Sequence, residues 1–79
     1  MRIRQGTVVA HDGLRIGNAN THEQAGVKRV YLVVFDPITG SERTERLSIG
    51  DLLRLGATEL RVADISVGDA KVHGYVDLE

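Results

Sequence analysis

Three histidines stand beside carboxylates in this chain: His11 next to Asp12, His22 next to Glu23, and His73 close to Asp69 and Asp77. Imidazole nitrogen and carboxylate oxygen are donors that zinc accepts in a tetrahedral shell, and a carboxylate-oriented imidazole is a common general base. Spacing argues against a shared metal. Asp12-Gly13 between two extended runs predicts a two-residue hairpin, which on continuation places His22 opposite Ile3 and about 26 Å from His11. The histidines are therefore read as exposed or cross-strand residues at strand ends. Asp64 and His73 would pair in one register of the last hairpin, and Ser66 lies on the same strand face as Asp64. Nothing supplies the remainder of a triad. With no cysteine, thiol nucleophiles, thiolate ligands and disulfides are excluded together. No catalytic residue, cofactor or metal is assigned, and the chain is read as a non-enzyme.

Phosphate chemistry has little sequence support. The nine glycines are scattered, with no glycine-rich phosphate loop, and read as turns and bulges. Asp64-Ile65-Ser66-Val67-Gly68 resembles the Asp-x-Ser-x-x-Gly element of PilZ domains, small β-barrels that bind cyclic di-GMP. The glycine arrives one residue early, and Arg43 and Arg46 match only part of the upstream arginine spacing, so no residue role is carried over. Nucleic acid would need a basic face with stacking rings. Arg2 and Arg4 share a face of the first strand, and Arg15, opposite Ala10, is expected on that same face. Tyr31 and Tyr75 would supply rings only if they lie outside the core.

Composition narrows the rest. Seventy-nine residues make one thin-cored domain, too small for a deep catalytic cleft within one copy. Ten basic against eleven acidic residues leave a net charge of −1, so no global field draws nucleic acid or anionic lipid. The N-terminal segment lacks the apolar run of a signal peptide, and no stretch approaches the roughly 18 apolar residues of a membrane span. A cytoplasmic setting is expected. Eight arginines against two lysines suggest a GC-rich bacterial genome. Leu78-Glu79 is a dipeptide that cloning often leaves before an affinity tag, so the domain is read as 1–77 with 78–79 as a tag remnant.

The elements that must position these residues read as strands. The Asp12-Gly13 turn pairs His11 with Leu14, Val9 with Ile16 and Thr7 with Asn18. The polar stretch 17–26 is expected to be a frayed strand end and an exposed loop. Val27 to Phe35 is the most hydrophobic segment, with Tyr31, Val33 and Phe35 on one face and Val30, Leu32 and Val34 on the other, so a central strand covered on both sides is expected. Asp36-Pro37-Ile38-Thr39-Gly40 has the chemistry of a hairpin turn. Its return strand, Glu42 to Ile49, should keep Glu42, Thr44, Arg46 and Ser48 in water.

Residues 50–56 read as a tight corner and short strand, with one helical turn over 50–55 as the rival. Leu60 to Val67 and Lys71 to Leu78 form a last hairpin around Gly68-Asp69. A two-residue turn pairs Asp64 with His73, whereas a three-residue loop pairs Val62 with Val76. Turn chemistry favours the former.

The whole reads as an all-β domain, a small antiparallel barrel or sandwich of about six short strands. The expected function is a non-enzymatic protein-interaction or accessory module acting through a sheet edge or face. The candidate face is Val30, Leu32 and Val34 with Arg2, Arg4 and Arg15, and the partner is another protein or a second copy covering strand 27–35. A nucleic-acid-binding barrel and a small-molecule-binding barrel are the alternatives.

Overall fold

Glycines turn the long extended runs into more strands than their number suggests. The computed structural model describes residues 1–79. Its strands are β1 (Arg2–Arg4), β2 (Val8–His11), β3 (Leu14–Gln24), β4 (Val27–Phe35), β5 (Glu42–Ser48), β6 (Leu52–Leu55), β7 (Thr58–Ser66) and β8 (Tyr75–Leu78). They form two four-stranded antiparallel sheets, ordered β1-β8-β7-β6 and β2-β3-β4-β5. The all-β class stands. The count is eight strands in two sheets, however, in place of about six in a barrel or sandwich, and no closed barrel forms. The reason is local: run 2–11 breaks where Gly6 takes φ 84°, and run 42–55 breaks where Gly50 takes φ 92°. Each corner hands the chain from one sheet to the other.

The Asp12-Gly13 hairpin is as expected, with φ of 49° and 78° and with His11 opposite Leu14 and Val9 opposite Ile16. Strand β1 does not continue this ladder. Ile3 pairs with Val76 in the first sheet, so it is not opposite His22.

The expected loop over 17–26 is instead the body of β3. The strand runs through Gln24 and turns at Ala25 and Gly26, whose φ values of 53° and 79° close a second two-residue hairpin with Gln24 opposite Val27 and Glu23 opposite Lys28. Polarity misleads here because two of the polar side chains point inward, and of their polar atoms only the Asn18 Oδ1 is left without a partner. Asn18 Nδ2 donates to the Ile3 carbonyl at 3.0 Å, and the Thr21 amide and hydroxyl donate to Gln5 Oε1 at 3.3 and 3.0 Å.

Strand β4 is central, bonded to β3 and β5. Asp36 Oδ1 accepts the Ile38 amide at 2.9 Å, closing the turn before β5. Residues 52–55 are a strand rather than a helical turn, since Leu53 and Leu55 alternate inward with exposed Leu52 and Arg54.

Neither register expected for the last hairpin occurs. Val62 pairs with Leu78, Ile65 with Val76 and Ser66 with Tyr75, with an irregularity between Val62 and Asp64. The connection is longer because Asp69 winds its own turn: Oδ1 accepts the amides of Lys71 and Val72 at 2.7 and 2.9 Å.

Both sheets contribute to one twelve-residue core, including Ile3, Val62 and Val76 from the first and Ile16, Val30 and Leu32 from the second. Leu78 belongs to it at 1% exposure, so the packed unit reaches past residue 77. No helix is long and apolar enough to cross a membrane.

Candidate functional site

The six residues expected to form one interaction face are divided by the fold. Val30 and Leu32 are fully buried between the sheets, and Val34, 6% exposed, reaches solvent only at the cleft of the hairpin end, so the three do not form an open face. Arg2 and Arg4 flank buried Ile3 on β1, whereas Arg15 precedes buried Ile16 on β3. Because both isoleucines point into the shared core, these arginines point outward from different sheets. They do not make one patch.

The accessible face of β4 is the opposite one. Residues paired directly across an antiparallel ladder project to the same side. The register therefore sets Arg15, Phe35 and Glu42 in one row, Gly17, Val33 and Thr44 in the next, then Asn20, Tyr31 and Arg46, and finally His22, Arg29 and Ser48. Val8, 64% exposed, extends the second row from β2. It lies against the backbone of Gly17, where an added Cβ would stand 3.3 Å from Val8 Cγ2. Tyr31, Val33 and Phe35 are half-buried, so apolar surface remains open to solvent.

The charge on this face is uneven. Arg15, Arg29 and Arg46 make no ion pair, the five pairs in the molecule being Arg2 with Asp77, His11 with Asp12, Arg43 with Glu45, Arg54 with Glu59 and Arg61 with Glu79. Glu42 is the one acid in the four rows. The His22 and Tyr31 rings stack at 5.3 Å and 14°, and His22 Nδ1 is buried without a partner. Stacked on one another, the two rings use a face of each internally.

The catalytic candidates do not assemble. His73 lies exposed on the loop after β7, and Asp64 pairs across the ladder with Asp77, so the Asp64 and His73 dyad is not formed. His11 Nε2 lies 3.6 Å from Asp12 Oδ2 at the first hairpin. Three or more metal-competent side chains come together nowhere. Ser66 and Gly68, from the segment resembling PilZ, lie at the neck of the 67–74 loop, and Arg43 faces Glu45 and the Arg54 carbonyl.

A cleft of about 490 Å³ at the hairpin end is lined partly by Asp12, Asp36, Glu42 and Arg43. Asp36 is already committed to its turn and Arg43 to Glu45.

Sequence reading missed Arg29, Arg46 and the outward role of Val33. A signal existed: the Asp36 to Gly40 turn pairs Phe35 with Glu42, and counting back from it brings Tyr31 against Arg46. Comparison with family models, curated proteins and solved structures gives no match, so the function of this face is read from its own chemistry.

Proposed function

We propose that the chain is a non-enzymatic interaction module whose working surface is the outer face of the β2-β3-β4-β5 sheet, and that it holds an apolar, acidic segment of another protein. One observation carries the reading: the register places Val8, Val33, Tyr31 and Phe35 beside three unpaired arginines on a single open face. Aliphatic and aromatic side chains provide area to bury, and Arg is the cation best suited to bidentate contact with carboxylates. Other occupants fit less well. A second copy docked face to face would bring the positive excess onto itself, and single-stranded nucleic acid would find the His22 and Tyr31 rings stacked on each other. A cytoplasmic setting belongs to the same reading.

Selection from a random-peptide display library against the folded domain tests it. Enriched peptides should combine an aromatic or branched aliphatic residue with Asp or Glu, and Val33→Asp and Arg46→Glu should each abolish their binding. Enrichment without acidic residues, or binding indifferent to both substitutions, would overturn the proposal. Concentration-dependent dimerisation through this face would replace the partner with a second copy. A salt-sensitive oligonucleotide complex lost in Arg46→Glu would replace it with nucleic acid.

A further inference from the structure

The opposite sheet holds a second concentration of positive charge, built differently. Arg2, Arg4, Lys71, Val72, His73 and Tyr75 line an open cleft of about 350 Å³ between β1, β8 and the 67–74 loop, and no carboxylate lines it. Arg4 and Lys71 make no ion pair. Arg2 is held in place by Asp77, which accepts from Nε at 2.9 Å and Nη2 at 3.1 Å, and its guanidinium carbon lies 3.8 Å from the centre of the Tyr75 ring. Its Nη1 is left free.

The loop is tied down as firmly. Asp69 fixes the Lys71 and Val72 amides, the Gln5 amide donates to the Gly74 carbonyl at 2.8 Å, and Gly68 and Gly74 close the neck. A Cβ on Gly74 would fall on the Thr21 hydroxyl and within 2.6 Å of the Ser66 carbonyl. Lys71 and His73 are thus presented to β1 by a braced loop.

We infer that this cleft is a binding site for a small phosphate-bearing anion. The guanidinium fork of Arg4 and the ammonium of Lys71, neither of them in an ion pair, suit the oxygens of a phosphate dianion beside the remaining Nη1 of Arg2, and the cleft volume lies in the small-ligand range. The surroundings limit ligand length. Across the sheet from Arg2 the same outward row continues into Asp77 and Asp64, and Asp69 stands in the loop. A compact anion seated on Arg4 and Lys71 touches Asp77 only across the Arg2 guanidinium, whereas an extended polyanion would run onto that acidic border. The site lies on the other sheet from the proposed partner face and does not depend on it.

Inorganic pyrophosphate is the probe, titrated into the ¹⁵N-labelled chain at constant ionic strength with chloride as the control. Saturable amide shifts confined to residues 2–5 and 68–76 are expected, and Arg4→Ala and Lys71→Ala should each weaken binding about tenfold while retaining a folded spectrum. Arg46→Ala, on the far sheet, should leave the affinity unchanged. Absence of saturable shifts, shifts centred elsewhere, or equal binding by the two cleft variants would overturn the assignment. Tighter binding of a ten-nucleotide single strand than of pyrophosphate through this cleft would overturn the restriction to small anions.

Discussion

Arg2 and Asp77 tie the first strand to the last, with both carboxylate oxygens engaged by the guanidinium at 2.9 and 3.1 Å. That hydrogen bonding holds the Asp77 carboxyl below the ordinary carboxylate range, against a smaller opposing effect of burial. The Asp69 carboxyl is lowered too, by the backbone amides of Lys71 and Val72. A depressed folded-state value means stability that is full above the unfolded pKa of about 4 and is lost as pH falls through the folded one. Urea unfolding between pH 2 and 7 should therefore show a midpoint that declines below about pH 4. Asp77→Asn should lower the midpoint at pH 6, and its difference from the parent chain should close towards pH 2. A constant difference across the range would remove the carboxylate from the account.

Ala25 carries a left-handed φ of 53° at the β3-β4 turn. A Cβ makes that conformation costly, and Asn tolerates it better. Ala25→Asn, which creates an Asn-Gly turn, should stabilise the domain by about 0.5–1 kcal/mol. Thermal unfolding by circular dichroism would read this as a rise of several degrees. An unchanged or lower midpoint would show that the turn is not under that strain.

Neighbouring residues on β4 should respond very differently. Leu32 is fully buried, and truncation to alanine should cost about 2–5 kcal/mol, most of what a domain of this size has to lose. Val33, half-exposed on the outer face, should cost less than about 1 kcal/mol when changed to alanine. Urea titration of both variants distinguishes the faces, and a reversal of the order would turn the strand over.

Gly74 is buried at the neck of the anion cleft, where a methyl group has no room. Gly74→Ala should destabilise by about 1–3 kcal/mol and reduce pyrophosphate affinity as the loop shifts. Val72→Ala, on exposed loop surface, should stay within about 0.5 kcal/mol. Hydrogen exchange at the Gln5 amide, which is bonded to the Gly74 carbonyl, should quicken in the first variant alone.

Much of the architecture was legible because turn chemistry is local. Asp12-Gly13 and Asp36 to Gly40 each contain the residues their geometry demands, and apolar residues on both faces of 27–35 marked a central strand, although the fold covers only the Val30, Leu32 and Val34 face and not both. The β3-β4 turn was overlooked because Asn18, Asn20 and Thr21 read as loop. Glu23 opposite Lys28 was the available signal, a complementary pair centred on Ala25-Gly26. Of the candidate surfaces, Arg2 and Arg4 were correctly seen to share a face. Arg15 was misplaced because its position relative to them depends on the corner at Gly6.

By itself, the sequence determined the all-β class, the hairpins at Asp12-Gly13 and Asp36 to Gly40, and the two faces of β4, since those depend on side-chain period and on φ preferences within a few residues. Only the tertiary structure decided which face of β4 is sealed and where the last strand begins. Burial of Val30, Leu32 and Val34 requires the first sheet above them, and Gly74, just ahead of β8, packs against Thr21, more than fifty residues away. A partner that distant in the chain leaves no local pattern. The two surfaces proposed for binding, arginines beside half-buried rings on one sheet and a braced cationic cleft on the other, exist only once those long-range contacts have formed.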